Sequence, residues 1–152
     1  MSKVLTVELI FQRCKTDKLD GIKNLNLWGN DLGDISIIGK MPNIEIVSLS
    51  LNKISTLKDF GRCYKLSELY LRKNEISDLT EVKHLANLPN MRVLWLWDNP
   101  CAQHKHYRPF IIKTLPKLLK LDNQAVTAEE RQEAQAMNFG GDLSAPITPE
   151  PR

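Results

Sequence analysis

Apolar and polar positions recur along this chain with a period of about 22 residues, an interval typical of short structural repeats. The segment 66–79, LSELYLRKNEISDL, has leucine or isoleucine at regular places and one asparagine inside the run. The same arrangement is present in 22–35, in 44–57 and, after a slightly longer interval, in 91–99. The asparagines at the equivalent place are Asn30, Asn52, Asn74 and Asn99. The pattern predicts repeats that each contain a short strand followed by a return segment.

The pattern L-x-x-L-x-L-x-x-N-x-L is typical of leucine-rich repeats. We therefore predict an α/β solenoid: a leucine-rich repeat arc with a parallel concave sheet, an N-terminal helical cap and a C-terminal LRR cap. The predicted repeats lie at about 22–43, 44–65, 66–90 and 91–101, and their predicted strands at 25–27, 47–49, 69–71 and 94–96. The return segments 34–40 and 56–63 are short enough for a 3₁₀ turn each. The longer return, 78–88, predicts a short α-helix, because it has apolar residues at helical spacing: Leu79, Val82, Leu85 and Ala86.

Both ends of such an array need caps, since a terminal repeat would otherwise expose apolar surface and unpaired strand groups. Residues 4–15 have apolar side chains at helical spacing, with Thr6 as the N-cap, and predict the N-terminal cap helix. The C-terminal cap is predicted at 102–138. One leucine-rich repeat domain should therefore cover 1–138, whereas the composition of 139–152 predicts a disordered tail.

Within the C-terminal cap, three features are predicted. A helix is expected where Tyr107, Phe110 and Ile111 share one face, and a degenerate last strand where Leu121 closes the final apolar pattern. A polar helix is expected after Thr127, which forms a capping box with Glu130. We interpret the four repeat asparagines as a structural ladder that binds backbone groups of the turns, and we assign them no ligand.

Alternation along each strand places the residues beside the leucines on the concave surface. All three tryptophans of the chain lie at these positions. Exposed tryptophan, tyrosine and arginine are enriched at protein–protein hot spots. We therefore predict a partner-binding concave face made of Trp28, Glu68, Tyr70, Arg72, Trp95 and Trp97. The alternative is that the C-terminal cap packs over Trp95 and Trp97, or that the aromatic rings serve cross-strand pairing alone.

Composition restricts the compartment and the class of partner. The chain has 152 residues, 42% hydrophobic and 26% charged, with three separated cysteines. No apolar run is long enough for a membrane span, and no secretory signal is evident. These features favour a reducing compartment, the cytoplasm or the nucleus. The net charge of +3 argues only weakly for nucleic acid. A basic group beside Tyr70, including Lys65 and Arg72, could stack single-stranded RNA, but acidic residues interleave with it.

The sequence does not favour metal binding or catalysis. Cys101, His104 and His106 are spaced as C-x-x-H-x-H, but no fourth ligand is evident, so we predict no metal site. No phosphate-binding loop, dinucleotide fingerprint or nucleophile elbow occurs, and no histidine lies among the concave positions. We therefore expect no catalytic residues, no cofactor and no enzymatic activity.

The repeat length together with the ending NPC…YRPFIIKTLPKLLKLDNQAVT resembles the protein phosphatase regulatory-subunit class of leucine-rich repeats and its C-terminal cap. The segments 25–36, 48–57, 62–76, 92–101 and 115–127 resemble the cilia- and flagella-associated protein 410 family. This resemblance implies a scaffold that takes part in cilium or flagellum assembly at the basal body, a cytoskeletal location, and a NIMA-related kinase as a partner. The alternative is a nuclear ribonucleoprotein adaptor resembling the spliceosomal A-prime protein.

The same resemblance implies a C-terminal, helical and oligomerising region in family members, which would lie after Arg152. We therefore expect this chain to be a monomer that binds protein, without membrane insertion.

Overall fold

The computed structural model describes residues 2–139. Its strands and α-helices, in chain order, are β1 (Lys3–Val4), α1 (Val7–Cys14), β2 (Asn24–Asn26), β3 (Leu32–Asp34), β4 (Ile46–Ser48), β5 (Glu68–Tyr70), β6 (Val93–Trp95), α2 (Tyr107–Thr114), β7 (Lys120–Leu121), β8 (Gln124–Ala125) and α3 (Ala128–Ala136). Five 3₁₀ turns connect them, at Leu19–Gly21, Ser36–Lys40, Lys58–Phe60, Leu79–Leu85 and Pro100–Gln103.

The repeat strands form one sheet in the order β2-β4-β5-β6-β7-β8. All neighbours from β2 to β7 are parallel, and β8 pairs antiparallel with β7. The predicted leucine-rich repeat arc with a parallel sheet is confirmed. The four repeat strands begin one residue earlier than predicted, because the residue before each L-x-L core also pairs across the sheet.

The hydrophobic core lies on the convex side of this sheet, and the strand register explains which side chains form it. Leu25, Val47, Leu69, Leu94 and Leu121 are aligned partners on successive strands and are all fully buried. Burying each such side chain contributes roughly 1.5–3 kcal/mol. Because side chains alternate along a strand, the residues between these apolar positions are held on the opposite, concave side of the sheet.

The return segments pack on the convex side. The two shorter ones form 3₁₀ turns, and the third, Leu79–Leu85, is also a 3₁₀ helix. The predicted α-helix there is wrong. Leu79, Val82 and Leu85 are buried and spaced by three residues, which is the 3₁₀ period, and the backbone N–H of Ala86 donates to the carbonyl of Lys83.

The N-terminal cap is a helix, but it is shorter than the predicted 4–15. Thr6 is the N-cap, since its hydroxyl accepts a hydrogen bond from the Leu9 N–H at 3.2 Å, and Lys15 ends the helix with a φ of 54°. Val4 belongs instead to β1, which pairs with β3 in a separate two-stranded parallel sheet. This strand protects the other edge of the first repeat.

The C-terminal cap consists of α2, the β7–β8 hairpin and α3. The predicted capping box is half formed: the Thr127 hydroxyl accepts from the Glu130 N–H at 3.1 Å. The Glu130 carboxylate does not return to Thr127. It forms a two-point ion pair with Arg108 of α2, at 2.7 and 2.9 Å, which joins the two cap helices.

The predicted tail begins one residue too early. Phe139 packs edge-on against His106 and Phe110, with ring centroids 5.3 and 5.4 Å apart, and so belongs with the cap. The rest of the predicted tail, 140–152, lies outside the described residues. No helix within residues 2–139 combines the length and the apolar character needed to cross a bilayer.

Candidate functional site

The register of the sheet aligns the outward-facing residues in rows across the concave surface. Asn26, Ser48, Tyr70 and Trp95 are direct partners on neighbouring strands. Asn24, Ile46, Glu68 and Val93 form the row before them. The row after them, which contains Trp28, Ser50, Arg72 and Trp97, follows the strand ends and is joined by backbone hydrogen bonds between repeats. Apart from Trp28 and Ile46, the first two repeats therefore contribute small polar side chains, and the next two contribute Tyr70, Trp95 and Trp97.

Tyr70 and Trp95 form the centre of the aromatic part. Their ring centroids are 5.1 Å apart and the planes are nearly perpendicular, which is a favourable edge-to-face contact. The Tyr70 hydroxyl donates a hydrogen bond of 2.5 Å to Glu68 Oε1. Burial, together with this bond to a carboxylate, raises the pKa of Tyr70 to about 12. The Glu68 carboxylate therefore favours the protonated phenol and orients the Tyr70 ring against Trp95.

Arg72 and Trp97 extend this group. The guanidinium carbon of Arg72 lies 4.3 Å from the centre of the Trp97 ring, a cation–π contact. Its Nε is 3.5 Å from Asp98 Oδ2, a partly exposed pair that adds little energy but orients the side chain. We call Tyr70, Arg72, Trp95 and Trp97 the aromatic cluster. Its arrangement leaves the terminal Nη groups of Arg72 beside an indole that is 39% exposed.

Trp28 lies apart from the aromatic cluster. Its side chain is 59% exposed, and three strand spacings, about 14 Å, separate it from Trp97 in the same row. It borders an open depression of about 880 Å³ at the N-terminal end of the concave face. The structure therefore divides the predicted partner-binding residues into the aromatic cluster with Glu68 and an isolated Trp28.

The contacts of the Trp95 and Trp97 rings argue against the alternative that the C-terminal cap packs over these two side chains. Within residues 2–139, the rings of Trp95 and Trp97 contact Tyr70 and Arg72 respectively. The aromatic rings of the C-terminal cap stack among themselves, as described for Phe139. The cap does reach Trp97 through its backbone, whose N–H donates to Asp122 Oδ1 at 3.0 Å. The partner-binding role of these side chains remains a prediction.

The repeat asparagines lie beneath the concave rows, at the turns that follow the strands. Asn74 Nδ2 donates to the carbonyls of Leu49 and Leu71 at 3.0 Å, and its Oδ1 accepts from the Ile54 N–H at 3.0 Å. Asn99 and Asn52 bind the equivalent backbone groups of their own and the preceding repeat. Asn30, in the first repeat, has no preceding repeat and bonds Arg13 of the N-terminal cap at 3.4 Å.

Sequence reasoning missed two acidic residues. Asp98 orients Arg72, as described above. Asp122 occupies the last turn, where its Oδ1 accepts from the N–H of Leu96 and its carboxylate accepts from the Tyr107 hydroxyl at 2.9 Å. Both residues follow directly after strand-like segments and have φ near 60°, a conformation in which aspartate is enriched. An aspartate directly after a strand-like segment of the repeat is the feature of the sequence that could have indicated these two residues.

The other candidate groups do not assemble on this surface. Lys65 of the predicted basic group donates to Asn43 at 2.7 Å, away from Arg72. Cys101 is buried, while His104 Nδ1 accepts from the His106 N–H at 3.0 Å. In the part of the chain from 2 to 139, no three histidine, cysteine, aspartate or glutamate side chains are grouped as a metal site would need.

Comparison with known proteins agrees with this architecture. A family model described as "Leucine-rich repeat" matches residues 13–145. Cilia- and flagella-associated protein 410 of Homo sapiens is 47% identical over 144 residues, which are 93% of this chain and 55% of that protein. The Mus musculus protein of the same name is 48% identical, over 93% of this chain and 57% of its own length. The similarity predicted from the sequence is confirmed, and the chain spans little more than half the length of these relatives.

A solved structure shows the same fold at lower sequence similarity. The crystal structure of the Drosophila melanogaster SNF/U2A' complex contains a chain that aligns with a TM-score of 0.73 and 20% identity. The alignment covers 89% of this chain and 74% of that one. At this identity the likeness concerns the fold alone.

Proposed function

Because the chain belongs to the leucine-rich repeat family, we propose that it is a non-enzymatic scaffold domain whose concave face binds a protein partner. The observation that carries this proposal is the aromatic cluster. It presents two indoles, one phenol and one guanidinium on a rigid sheet, and these are the side chains that dominate binding energy at protein interfaces. Their geometry is fixed within the chain, so little side-chain entropy would be lost on binding.

The remaining reactive groups support a binding role over a catalytic one. Burial raises the pKa of Cys63 to about 11 and that of Cys101 to about 12, so neither thiol supplies a thiolate nucleophile near neutral pH. The concave rows contain no histidine that could act as a general base.

We further propose that the domain acts in cilium or flagellum assembly at the basal body, with a NIMA-related kinase as a partner. The support is the similarity to cilia- and flagella-associated protein 410 over 93% of the chain. A fluorescently tagged copy expressed in ciliated cells should collect at the base of the cilium. Collection in nuclear speckles would contradict this setting and would favour a ribonucleoprotein adaptor.

Binding through the aromatic cluster is tested with purified kinase and immobilised domain. Trp97→Ala removes one exposed indole, and loss of a hot-spot residue costs about 2 kcal/mol or more, which is about thirtyfold in affinity. Tyr64→Ala is the matched control, because Tyr64 is 55% exposed and lies outside the concave rows. Both variants should melt near the wild-type temperature. Equal binding by Trp97→Ala and wild type would overturn the proposed face.

A further inference from the structure

The depression beside Trp28 has a lining of its own. It is bordered by Arg13 of α1, by Lys23 before β2, and by Asn24 and Asn26 on the outward side of that strand. Among residues 2–139, no acidic side chain contributes to its lining. Its volume of about 880 Å³ is large enough for several side chains of a ligand, and it opens directly onto the concave rows.

The hydrogen-bond donors of this depression are largely unused within the chain. The Oδ1 of Asn26 accepts from the Trp28 N–H at 3.2 Å, which leaves the amide nitrogen to donate outward. The Arg13 guanidinium donates from Nη2 to Asn30 Oδ1 over a long distance of 3.4 Å, so most of its N–H groups are available to a ligand. For the Lys23 ammonium, the described residues provide neither an ion pair nor a hydrogen-bond acceptor. The depression thus presents positive charge and amide donors next to an exposed indole.

We propose that this depression binds an acidic segment of the protein partner. Carboxylates of that segment pair with Arg13 and Lys23, and a neighbouring apolar or aromatic side chain packs on Trp28. Arginine binds carboxylates in a two-point geometry, and amide nitrogens complete the acceptor shell. The inference rests on the proposed function and deepens it: the concave face has a cationic subsite at its N-terminal end and an aromatic subsite at the other.

The arrangement favours a peptide over a nucleic acid. Binding a phosphate backbone requires a series of cations along a track, whereas two cations border this depression. The row from Asn26 through Ser48 to Tyr70 is continuous across the sheet, so a chain seated beside Trp28 leads towards the aromatic cluster. Small side chains in the middle of this row leave room for such a chain.

The test uses the indole N–H signals of the ¹⁵N-labelled protein, one for each of the three tryptophans. The probe is a short synthetic peptide of repeating Glu-Glu-Tyr, and its matched control has Gln in place of Glu. We expect the acidic peptide to shift the Trp28 signal while the Trp95 and Trp97 signals move little. The Gln peptide should leave all three in place, and added salt should weaken the effect.

Charge reversal then identifies the cations. Lys23→Glu should lower the apparent affinity for the acidic peptide, measured from the shift of the Trp28 signal, by about tenfold. The reason is that the substitution replaces an attraction with a repulsion. Lys40→Glu makes the same change at an exposed site outside the depression and should have less than about a twofold effect. Circular dichroism confirms that both variants are folded.

Three results would overturn the inference. They are an absent shift of Trp28, a shift confined to Trp95 and Trp97, and a stronger shift of Trp28 with single-stranded oligouridine than with the acidic peptide. None of them affects the kinase-binding experiment with Trp97→Ala. The cationic subsite can therefore fail while the proposed function stands, and the two experiments distinguish the two failures.

Discussion

Replacing Asn52 with alanine removes the side chain that makes the most backbone contacts in the ladder. Its Oδ1 accepts from the N–H groups of Asn30 at 3.0 Å and Leu32 at 2.9 Å. Alanine would leave both without their acceptor. An orphaned buried donor costs about 1–3 kcal/mol, and since the Asn30 N–H is only partly buried, we expect a total loss of about 2–4 kcal/mol.

The carbonyls that Asn52 binds would suffer less. The Leu27 carbonyl also accepts from Asn30 Nδ2, and the Leu49 carbonyl also accepts from Asn74 Nδ2. The third carbonyl, of Ser50, also accepts from the Gly29 N–H, so all three keep a donor. The loss therefore comes mainly from the two N–H groups. This distinction makes the expected magnitude smaller than a count of all the hydrogen bonds would suggest.

Asn30→Ala is the matched control. The Oδ1 of Asn30 accepts only from Arg13 among the described residues, so its removal orphans no backbone N–H. It should cost about 1 kcal/mol or less. Urea unfolding followed by tryptophan fluorescence measures both variants. With a slope of about 2 kcal/mol per molar urea, Asn52→Ala should lower the midpoint by about 1–2 M. Similar midpoints for the two variants would refute the ladder as a source of stability.

Three further predictions concern the turns, the cap and the thiols. Lys73 has a φ of 60°, so Lys73→Gly should relieve left-handed strain and stabilise the fold by about 0.5–1 kcal/mol in the same urea assay; destabilisation would contradict this. The hydrogen bond from Arg108 lowers the pKa of Glu130, so its contribution is present above the unfolded-state pKa and is lost as pH falls through the folded value. Glu130→Gln should therefore cost about 1 kcal/mol at pH 7 and nothing well below pH 4, and a pH-independent cost in urea melts would be inconsistent with the pairing. Because Cys63 and Cys101 are buried with raised pKa values, a disulfide reagent should modify one thiol at pH 8 in the folded chain and all three only after unfolding.

The repeat architecture was predictable because one spacing determines several features at once. The interval between Asn52 and Asn74 places the same apolar positions on neighbouring strands, and this specifies both the parallel sheet and its register. The third return segment differs from its prediction. Leu79, Val82 and Leu85 recur every three residues, which is the 3₁₀ period, but the same spacing also fits one face of an α-helix, so the sequence does not separate the two.

The candidate site was only partly predictable. The alternation of side chains places Trp28 and Trp97 on one face, yet it does not indicate how far apart they are or which residues fill the space between them. The sequence also gives no sign that Glu68 holds the Tyr70 hydroxyl, since that bond depends on rotamers within one strand. Likewise Val4 pairs with β3 because of where the chain enters the fold, and two residues are too few to show a strand pattern.

Site-specific photo-crosslinking in ciliated cells tests directly whether a protein partner occupies the concave face. A photoreactive phenylalanine analogue is placed at Ser48, in the middle of the concave rows, or at Tyr64, an exposed position outside them. A partner bound in the hollow of the arc must touch the first position. We expect one defined protein adduct from the Ser48 position and none from Tyr64. An adduct from Tyr64 alone, at equal expression and folding, would contradict this expectation.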